Sequence, residues 1–117
     1  DERQRHVVEQ LRVVVQKLRR IPTPHSNAIC SAAGGPVIDE RLDLWRECGP
    51  FENEPDMRRC LRYPGPGQGA VIKAPDVKIR FTHGDFAPKN IMVDPRTGAI
   101  IAIVDWEQSE WFPDYWE

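Results

Sequence analysis

A turn between two short apolar runs constrains this chain more than any other feature of its sequence. Residues 91–93 and 99–104 consist of Ile, Val, Met and Ala, and residues 94–98 between them (Asp-Pro-Arg-Thr-Gly) have the chemistry of a turn. This pattern predicts an antiparallel hairpin centred on the turn, with Asn90 opposite a position near Ile103.

Two acids and an amide lie at the open end of this predicted hairpin. Asn90 precedes the first run and Asp105 follows the second, so antiparallel pairing brings both to one edge. Residues 79–82 (Ile-Arg-Phe-Thr) predict a strand that leads to Asp85 in a loop, and this loop reaches the same edge. We therefore expect the side chains of Asp85, Asn90 and Asp105 to converge.

The chemistry of this predicted cluster suits phosphoryl transfer with a divalent metal ion. Mg²⁺ prefers oxygen ligands, usually one or two carboxylates together with phosphate oxygens and water, and Asn90 and Asp105 offer such oxygens. Asp85 is a carboxylate that can accept the proton of an attacking hydroxyl and direct it at the γ-phosphate. The order His-x-Asp, four residues, Asn, and a hairpin ending in Asp is also the pattern of the protein kinases.

The same residues resemble a known family. Segments 83–91 (His-Gly-Asp-Phe-Ala-Pro-Lys-Asn-Ile) and 104–107 (Val-Asp-Trp-Glu) resemble the aminoglycoside phosphotransferase/choline kinase-like family, which has a protein-kinase-like fold. Residues 111–117 are similar to the start of the helix that follows this motif in fungal members. The resemblance is sharp over residues 79–117 and looser over residues 1–78.

The resemblance implies a function and a role for individual residues. It implies an ATP-dependent phosphotransferase, or kinase, that acts on a hydroxyl group of a small molecule. Asp85 would be the catalytic base, and His83 would be a structural histidine that shapes the loop. Asn90 and Asp105 would be the ligands of Mg²⁺. Apart from the resemblance, we predict that Lys89, a cation next to the site, contacts a phosphate of ATP, and that Met92 also lies at the ATP. A solvated lysine explains Lys89 equally well.

Three positions depart from the pattern of related kinases. Ala87 stands where protein kinases usually have Lys and antibiotic kinases often have His, and Lys89 stands where Gly is common. Glu107 replaces the Gly of the protein kinase Asp-Phe-Gly triplet. These departures argue against a protein kinase and leave the acceptor open.

Outside the motif, the pattern predicts an α+β fold, namely the carboxyl-lobe portion of a protein-kinase-like fold. The clearest helix is amphipathic, with acids at its start, bases at its end and Pro22 to stop it. We expect residues 1–117 to form a partial phosphotransferase-like domain with four parts: a packing helix at 2–20, an irregular Pro/Gly-rich connection at 22–78, a catalytic loop and metal-binding hairpin at 79–107, and the start of a further helix at 110–117.

Within the connection, residues 29–31 suggest a short strand and residues 55–62 a short helix. Residues 63–73 imitate a Gly-rich loop followed by the Val-Ala-Ile-Lys strand of a kinase. A kinase places a helix, its Glu and a hinge between that lysine and the catalytic loop, whereas only nine residues separate Lys73 from His83. We therefore predict a surface loop here, with Lys73 as a surface cation.

The sequence leaves two alternatives to an active kinase. No credible Gly-rich loop, phosphate-binding Lys or partner Glu is present, so we expect a fragment or a truncated gene product that binds Mg-ATP weakly by itself. A catalytically inactive kinase-like remnant or binding module is therefore the first alternative. The second is a metal-dependent hydrolase with His83, Asp85 and Asp105 as ligands, because imidazole favours transition metals.

Composition limits the expected partners and location. The chain has 16 basic and 18 acidic residues, a net charge of −2, and no basic face for nucleic acid. No apolar run approaches the ~20 residues of a membrane span, and the charged amino end does not resemble a signal peptide. The 3 cysteines lack the spacing of a disulfide framework or zinc site. Reduced thiols favour a cytoplasmic setting, and nothing in the sequence indicates an oligomeric state.

Overall fold

In the part of the chain that the structure describes, the main elements are one long helix and two small antiparallel sheets. The computed structural model describes residues 1–42, 46–61 and 77–117. Its mixture of helix and antiparallel strands confirms the α+β class and is compatible with part of a kinase-like fold. Residues 63–73, for which the sequence predicts a surface loop, lie outside the described residues.

Helix α1 spans Glu2–Arg19, so it ends one residue before the predicted boundary. The Asp1 carboxylate caps it by accepting a hydrogen bond from the backbone N–H of Arg3 at 2.9 Å. The acid in the first turn and the bases in the last complement the helix dipole. All of α1 is described, yet none of its residues is fully buried. The helix therefore covers the rest of the fold with a half-buried apolar stripe.

The first sheet has three strands, β1 (Cys30–Ser31), β5 (Glu110–Pro113) and β2 (Ile79–Thr82), in the order β1-β5-β2. Strand β5 is antiparallel to both neighbours, and Trp111 pairs with Cys30 on one side and Phe81 on the other. All four residues of β5 are buried. The core around this sheet also contains apolar residues of the connection, among them Ile29, Val37, Leu42, Phe51 and Met57.

Residues 110–113 form strand β5, whereas the sequence predicted that a helix begins at residue 110. Residues 110–113 are extended because they pair along both edges, and the buried side chains of Trp111 and Phe112 fill the core. After the strand, the N–H of Trp116 donates to the carbonyl of Pro113 at 2.9 Å, which makes a turn. The resemblance to fungal members gave the wrong secondary structure for this segment.

The second sheet is the hairpin of β3 (Ile91–Val93) and β4 (Ile100–Ile103). Ile91 pairs with Ile103, and the N–H of Val104 donates to the carbonyl of Asn90 at 2.9 Å. The residue opposite Asn90 is therefore Val104, one position from the one predicted. Helix α1 fixes the other end, where the side chain of Gln10 bonds the Gly98 carbonyl at 2.9 Å and the Ile100 N–H at 2.8 Å.

The described part of the connection between α1 and β2 contains regular structure that its composition does not suggest. Besides β1, it contains helix α2 (Glu54–Arg58), shorter than the predicted 55–62 and capped by Asn53, which accepts from the Asp56 N–H at 2.9 Å. Two isolated bridges, Ile29 with Phe51 and Val37 with Cys48, hold its loops. Within the described part of the chain, no helix has the length and apolar character to cross a membrane.

Candidate active site

The loop that follows β2 is shaped by a close backbone contact. Gly84 has a φ of +88°, and a Cβ atom at this position would lie 2.3 Å from the carbonyl oxygen of Gln108. Only glycine fits here, because both the conformation and the space exclude a side chain. The chain then passes Asp85 and forms a short 3₁₀ helix, Pro88–Asn90, which leads directly into β3.

His83 joins this loop to the hairpin. Its ring is fully buried, its Nε2 lies 2.9 Å from the carbonyl of Val104, and its Nδ1 lies 3.2 Å from the N–H of Asp85. Since the Asp85 N–H must donate, Nδ1 is the acceptor and Nε2 carries the proton. The rings of Phe86 and Trp106 pack edge-on against the imidazole. These contacts are those expected of a structural histidine.

The same contacts contradict the metal-dependent hydrolase considered from the sequence. Both ring nitrogens of His83 are used by the backbone, so the imidazole has no lone pair to offer a metal. Among residues 1–42, 46–61 and 77–117, no three His, Cys, Asp or Glu side chains are grouped to hold a metal ion. A site of that kind needs the ligand that His83 does not supply.

Asp85 and Asn90 are in direct contact. The Asn90 amide Nδ2 donates to the Asp85 carboxylate at 3.0 Å and to the Asp85 carbonyl at 2.9 Å. The ammonium of Lys89 lies 3.1 Å from the same carboxylate oxygen. The hydrogen bond from Lys89 lowers the pKa of Asp85 below its usual value, against burial, which raises it, and with help from Asn90. The carboxylate is therefore ionised at neutral pH.

Asp105 follows β4 at the same end of the hairpin. Its φ of +64° is unusual for a residue other than glycine and is tolerated best by Asn and Asp. Its side chain is exposed, and its charge contributes to the raised pKa of Lys89, after the larger effect of Asp85. A strained backbone beside a charged cluster is frequent at functional sites. Asp105 therefore acts on the same ammonium as Asp85.

Met92 lies on the hairpin and shares none of the described contacts of this cluster. It lies on β3 opposite Ala102, and half of its side chain is exposed. No described hydrogen bond or ring contact joins it to Asp85 or Asn90. The structure thus brings Asp85, Lys89 and Asn90 together, places Asp105 at the same end of the hairpin without a described contact to them, and leaves Met92 on the open surface of the hairpin.

A cavity of about 410 Å³ opens beside this cluster. The loop after β2 forms one wall, with Asp85 and Lys89, and residues 39–41 form the other. The cavity is therefore lined mainly by charged side chains of both signs. Its position gives the Asp85 carboxylate access to a small polar molecule.

Comparison with known proteins identifies the family. The model of the phosphotransferase enzyme family matches residues 2–113, almost the whole chain. This chain belongs to that family. The match confirms the resemblance found in the catalytic-loop motif and extends it over the connection and α1. Searches of the curated proteins and of the solved structures found no significant match.

A network opposite the loop of residues 83–90 was not found from the sequence. Arg41 donates from Nε and Nη2 to the buried carboxylate of Asp39 at 2.8 and 2.6 Å, and from Nη1 to the carbonyl of Trp116 at 2.9 Å. Its guanidinium also stacks 4.1 Å from the centre of the Trp116 ring and reaches the carbonyl of Gly84 at 3.4 Å. Arg41 therefore links three segments: the connection that contains it, the tail (residues 114–117) and the loop residue before Asp85.

The only local signal for this network is the Asp-x-Arg spacing of residues 39–41 in a short amphipathic stretch. The tail also contacts the loop directly, since the N–H of His83 donates to the Glu117 carboxylate at 2.8 and 3.0 Å. Burial raises the pKa of Glu117, and the hydrogen bond from His83 opposes this rise. The loop of residues 83–90 is thus held by contacts from Arg41, from Glu117 and from Val104 of the hairpin.

Glu110 is a buried acid beside this network. It is 7% exposed, its Oε1 accepts from the N–H of Ile38 at 3.4 Å, and its Oε2 has no hydrogen-bond partner among the described residues. Burial raises the pKa of Glu110 to about 7, and the charge of Asp39 adds to the rise. Burial also raises the pKa of the Cys30 thiol, and the charge of Glu110 adds to this rise.

Proposed function

We propose that this chain provides the catalytic loop and metal-binding hairpin of an ATP-dependent phosphotransferase that acts on a small-molecule hydroxyl. The contact between Asp85 and Asn90, at the end of a hairpin that continues into Asp105, is the observation that supports this proposal. This contact supports the proposal because positioning of the reacting groups provides most of the catalysis in phosphoryl transfer, and Asp85 and Asn90 are held in one fixed arrangement.

In this proposal Asp85 is the catalytic base. The acceptor hydroxyl, bound in the 410 Å³ cavity, attacks the γ-phosphorus of ATP and its proton passes to the Asp85 carboxylate. The bond between the γ-phosphorus and the bridging oxygen breaks, and ADP leaves with the electron pair. The lowered pKa of Asp85 keeps the carboxylate ionised and ready to orient the hydroxyl.

Asn90 and Asp105 fit the requirements of Mg²⁺. Because Asn90 uses Nδ2 on Asp85, it offers its amide oxygen Oδ1 to other partners. Asp105 adds an exposed carboxylate at the same end of the hairpin. An amide oxygen and a carboxylate are hard ligands, and Mg²⁺ needs only one or two of them when phosphates supply the rest. Bound Mg²⁺ supplies positive charge that neutralises the phosphates.

Lys89 and Met92 complete the proposal as residues at the nucleotide. The Lys89 ammonium lies at the cavity beside Asp85, within reach of a phosphate. The exposed thioether of Met92 offers an adaptable apolar surface for the base of the nucleotide. The family match supports phosphotransfer in general, and these assignments go beyond it.

Calorimetric titration with Mg-ATP tests the metal and nucleotide roles. We expect the full 117-residue chain to bind Mg-ATP weakly and Asp105→Asn to abolish this binding. The control is Asp94→Asn, at the opposite end of the hairpin, which should leave the binding unchanged. Binding that survives Asp105→Asn would contradict the metal site.

A turnover assay tests the base. Release of ADP with a panel of small-molecule alcohols should be slow, and Asp85→Asn should remove it while Mg-ATP still binds. Turnover that persists in Asp85→Asn would contradict this role. Binding of Mg-ATP without any turnover would instead favour the inactive remnant.

A further inference from the structure

The ammonium of Lys89 is paired with a carboxylate that adjoins the proposed metal site. Its Nζ is 3.1 Å from Oδ2 of Asp85, the oxygen that also accepts from Asn90. The charges of Asp105 and Glu40 act on the same ammonium, after the larger effect of Asp85. A lysine at this place therefore provides the positive charge that balances the acids of the cluster.

This arrangement is easy to break. The side chain of Lys89 is 69% exposed, and an ion pair this open to water contributes little to stability. The side chain is long and flexible, so its ammonium can reach a new partner without movement of the 3₁₀ helix that carries it.

A metal ion at the proposed site and the ammonium of Lys89 are both cations, so each opposes the other. A dication beside Asn90 and Asp105 would be repelled by this ammonium, because Lys89 is held 3.1 Å from the Asp85 oxygen that Asn90 also contacts. The phosphates of a nucleotide change this balance, because they bring negative charge with which the ammonium can pair.

We propose that Lys89 is a positioning residue with two alternative partners. It holds the carboxylate of Asp85 when no nucleotide is bound, and it transfers to a phosphate oxygen when the metal and nucleotide bind together. Lys89 thereby opposes binding of the metal alone and favours binding of the metal with its nucleotide. This inference rests on the proposed function, and it predicts effects of opposite sign in two measurements.

Electron paramagnetic resonance titrations of the full chain with Mn²⁺, without and with ATP, test the inference. In Lys89→Met, Mn²⁺ alone should bind about two- to fivefold more tightly, the change expected for the loss of one exposed charge interaction. The gain in Mn²⁺ affinity caused by ATP should fall by a similar factor, because the phosphate loses its ammonium partner.

Two variants serve as controls. Lys17→Met removes a charge from the exposed end of α1, away from the loop, and should behave as the wild type. Lys89→Arg keeps the positive charge, so the affinity for Mn²⁺ alone and the gain in this affinity caused by ATP should both stay close to those of the wild type. Both titrations report on binding, so neither requires turnover.

The outcomes separate this inference from the proposed function. If Asp105→Asn abolishes Mn²⁺ binding but Lys89→Met behaves like Lys17→Met, the inference is overturned and the metal site stands. Weaker binding of Mn²⁺ alone in Lys89→Met would also overturn it. If Mn²⁺ does not bind, or binds equally to Asp105→Asn, both the metal site and the inference are overturned.

Discussion

The buried acid on β5 gives the sharpest prediction about stability. Glu110 is 7% exposed, and its Oε2 has no described hydrogen-bond partner. A carboxylate in this position must give up its hydration, and the nearby charge of Asp39 adds repulsion. Replacement by Gln preserves the shape and the acceptor for the Ile38 N–H, and it removes the charge. We predict that Glu110→Gln stabilises the chain at alkaline pH.

The magnitude follows from the pKa of Glu110. Folding raises this pKa from 4.5 to about 7, which corresponds to about 3 kcal/mol at about 1.36 kcal/mol per pH unit. Below pH 4.5 the side chain is protonated in both the folded and unfolded states, and no penalty arises. Between pH 4.5 and about 7 the unfolded state loses its proton first, so the free energy of unfolding falls as the pH rises.

Urea denaturation of the wild type and Glu110→Gln between pH 4.5 and pH 8 measures this effect. At pH 8 the variant should be more stable by up to about 3 kcal/mol, and the difference should shrink towards zero as the pH approaches 4.5. The matched control is Glu52→Gln, at an exposed glutamate, and it should change the stability at pH 8 less than Glu110→Gln does. A difference for Glu110→Gln that is constant over this range would refute the reasoning.

Two further substitutions test the backbone of the candidate site. Gly84→Ala should lower the free energy of unfolding by about 1–3 kcal/mol, because its Cβ meets the Gln108 carbonyl and its φ is positive; equal stability by urea denaturation would show that the loop does not approach Gln108. Asp105→Gly should keep or raise stability by up to about 1 kcal/mol, because it relieves the positive φ, yet it should abolish Mn²⁺ binding. Retained Mn²⁺ affinity in Asp105→Gly would contradict the role of its carboxylate.

Local sequence signals were sufficient for the hairpin and for part of the site. The turn at residues 94–98 and the apolar runs beside it set the register to within one residue. That register, with the short loop before it, was enough to predict the contact between Asp85 and Asn90. These features depend on residues close together in the sequence, and such residues leave a readable pattern.

Features that depend on distant residues were missed. The strand at residues 110–113 exists because it pairs with residues 30–31 and 79–82, and pairing of this kind overrides local resemblance. The network of Asp39 and Arg41 likewise depends on Trp116, 75 residues beyond Arg41. Neither partner can be recognised before the chain is folded.

The order of strands in the first sheet has a consequence for how the protein forms. Strand β5 stands between β1 and β2, which have no described pairing with each other. The ribosome synthesises β5 last of the three strands. Strands β1 and β2 therefore lack this partner until residues 110–113 have been made. Sheets closed by such distant partners form slowly, and their waiting edges are open to other chains. Residues 110–113 therefore complete the core and also determine how long the edges of β1 and β2 stay open to aggregation.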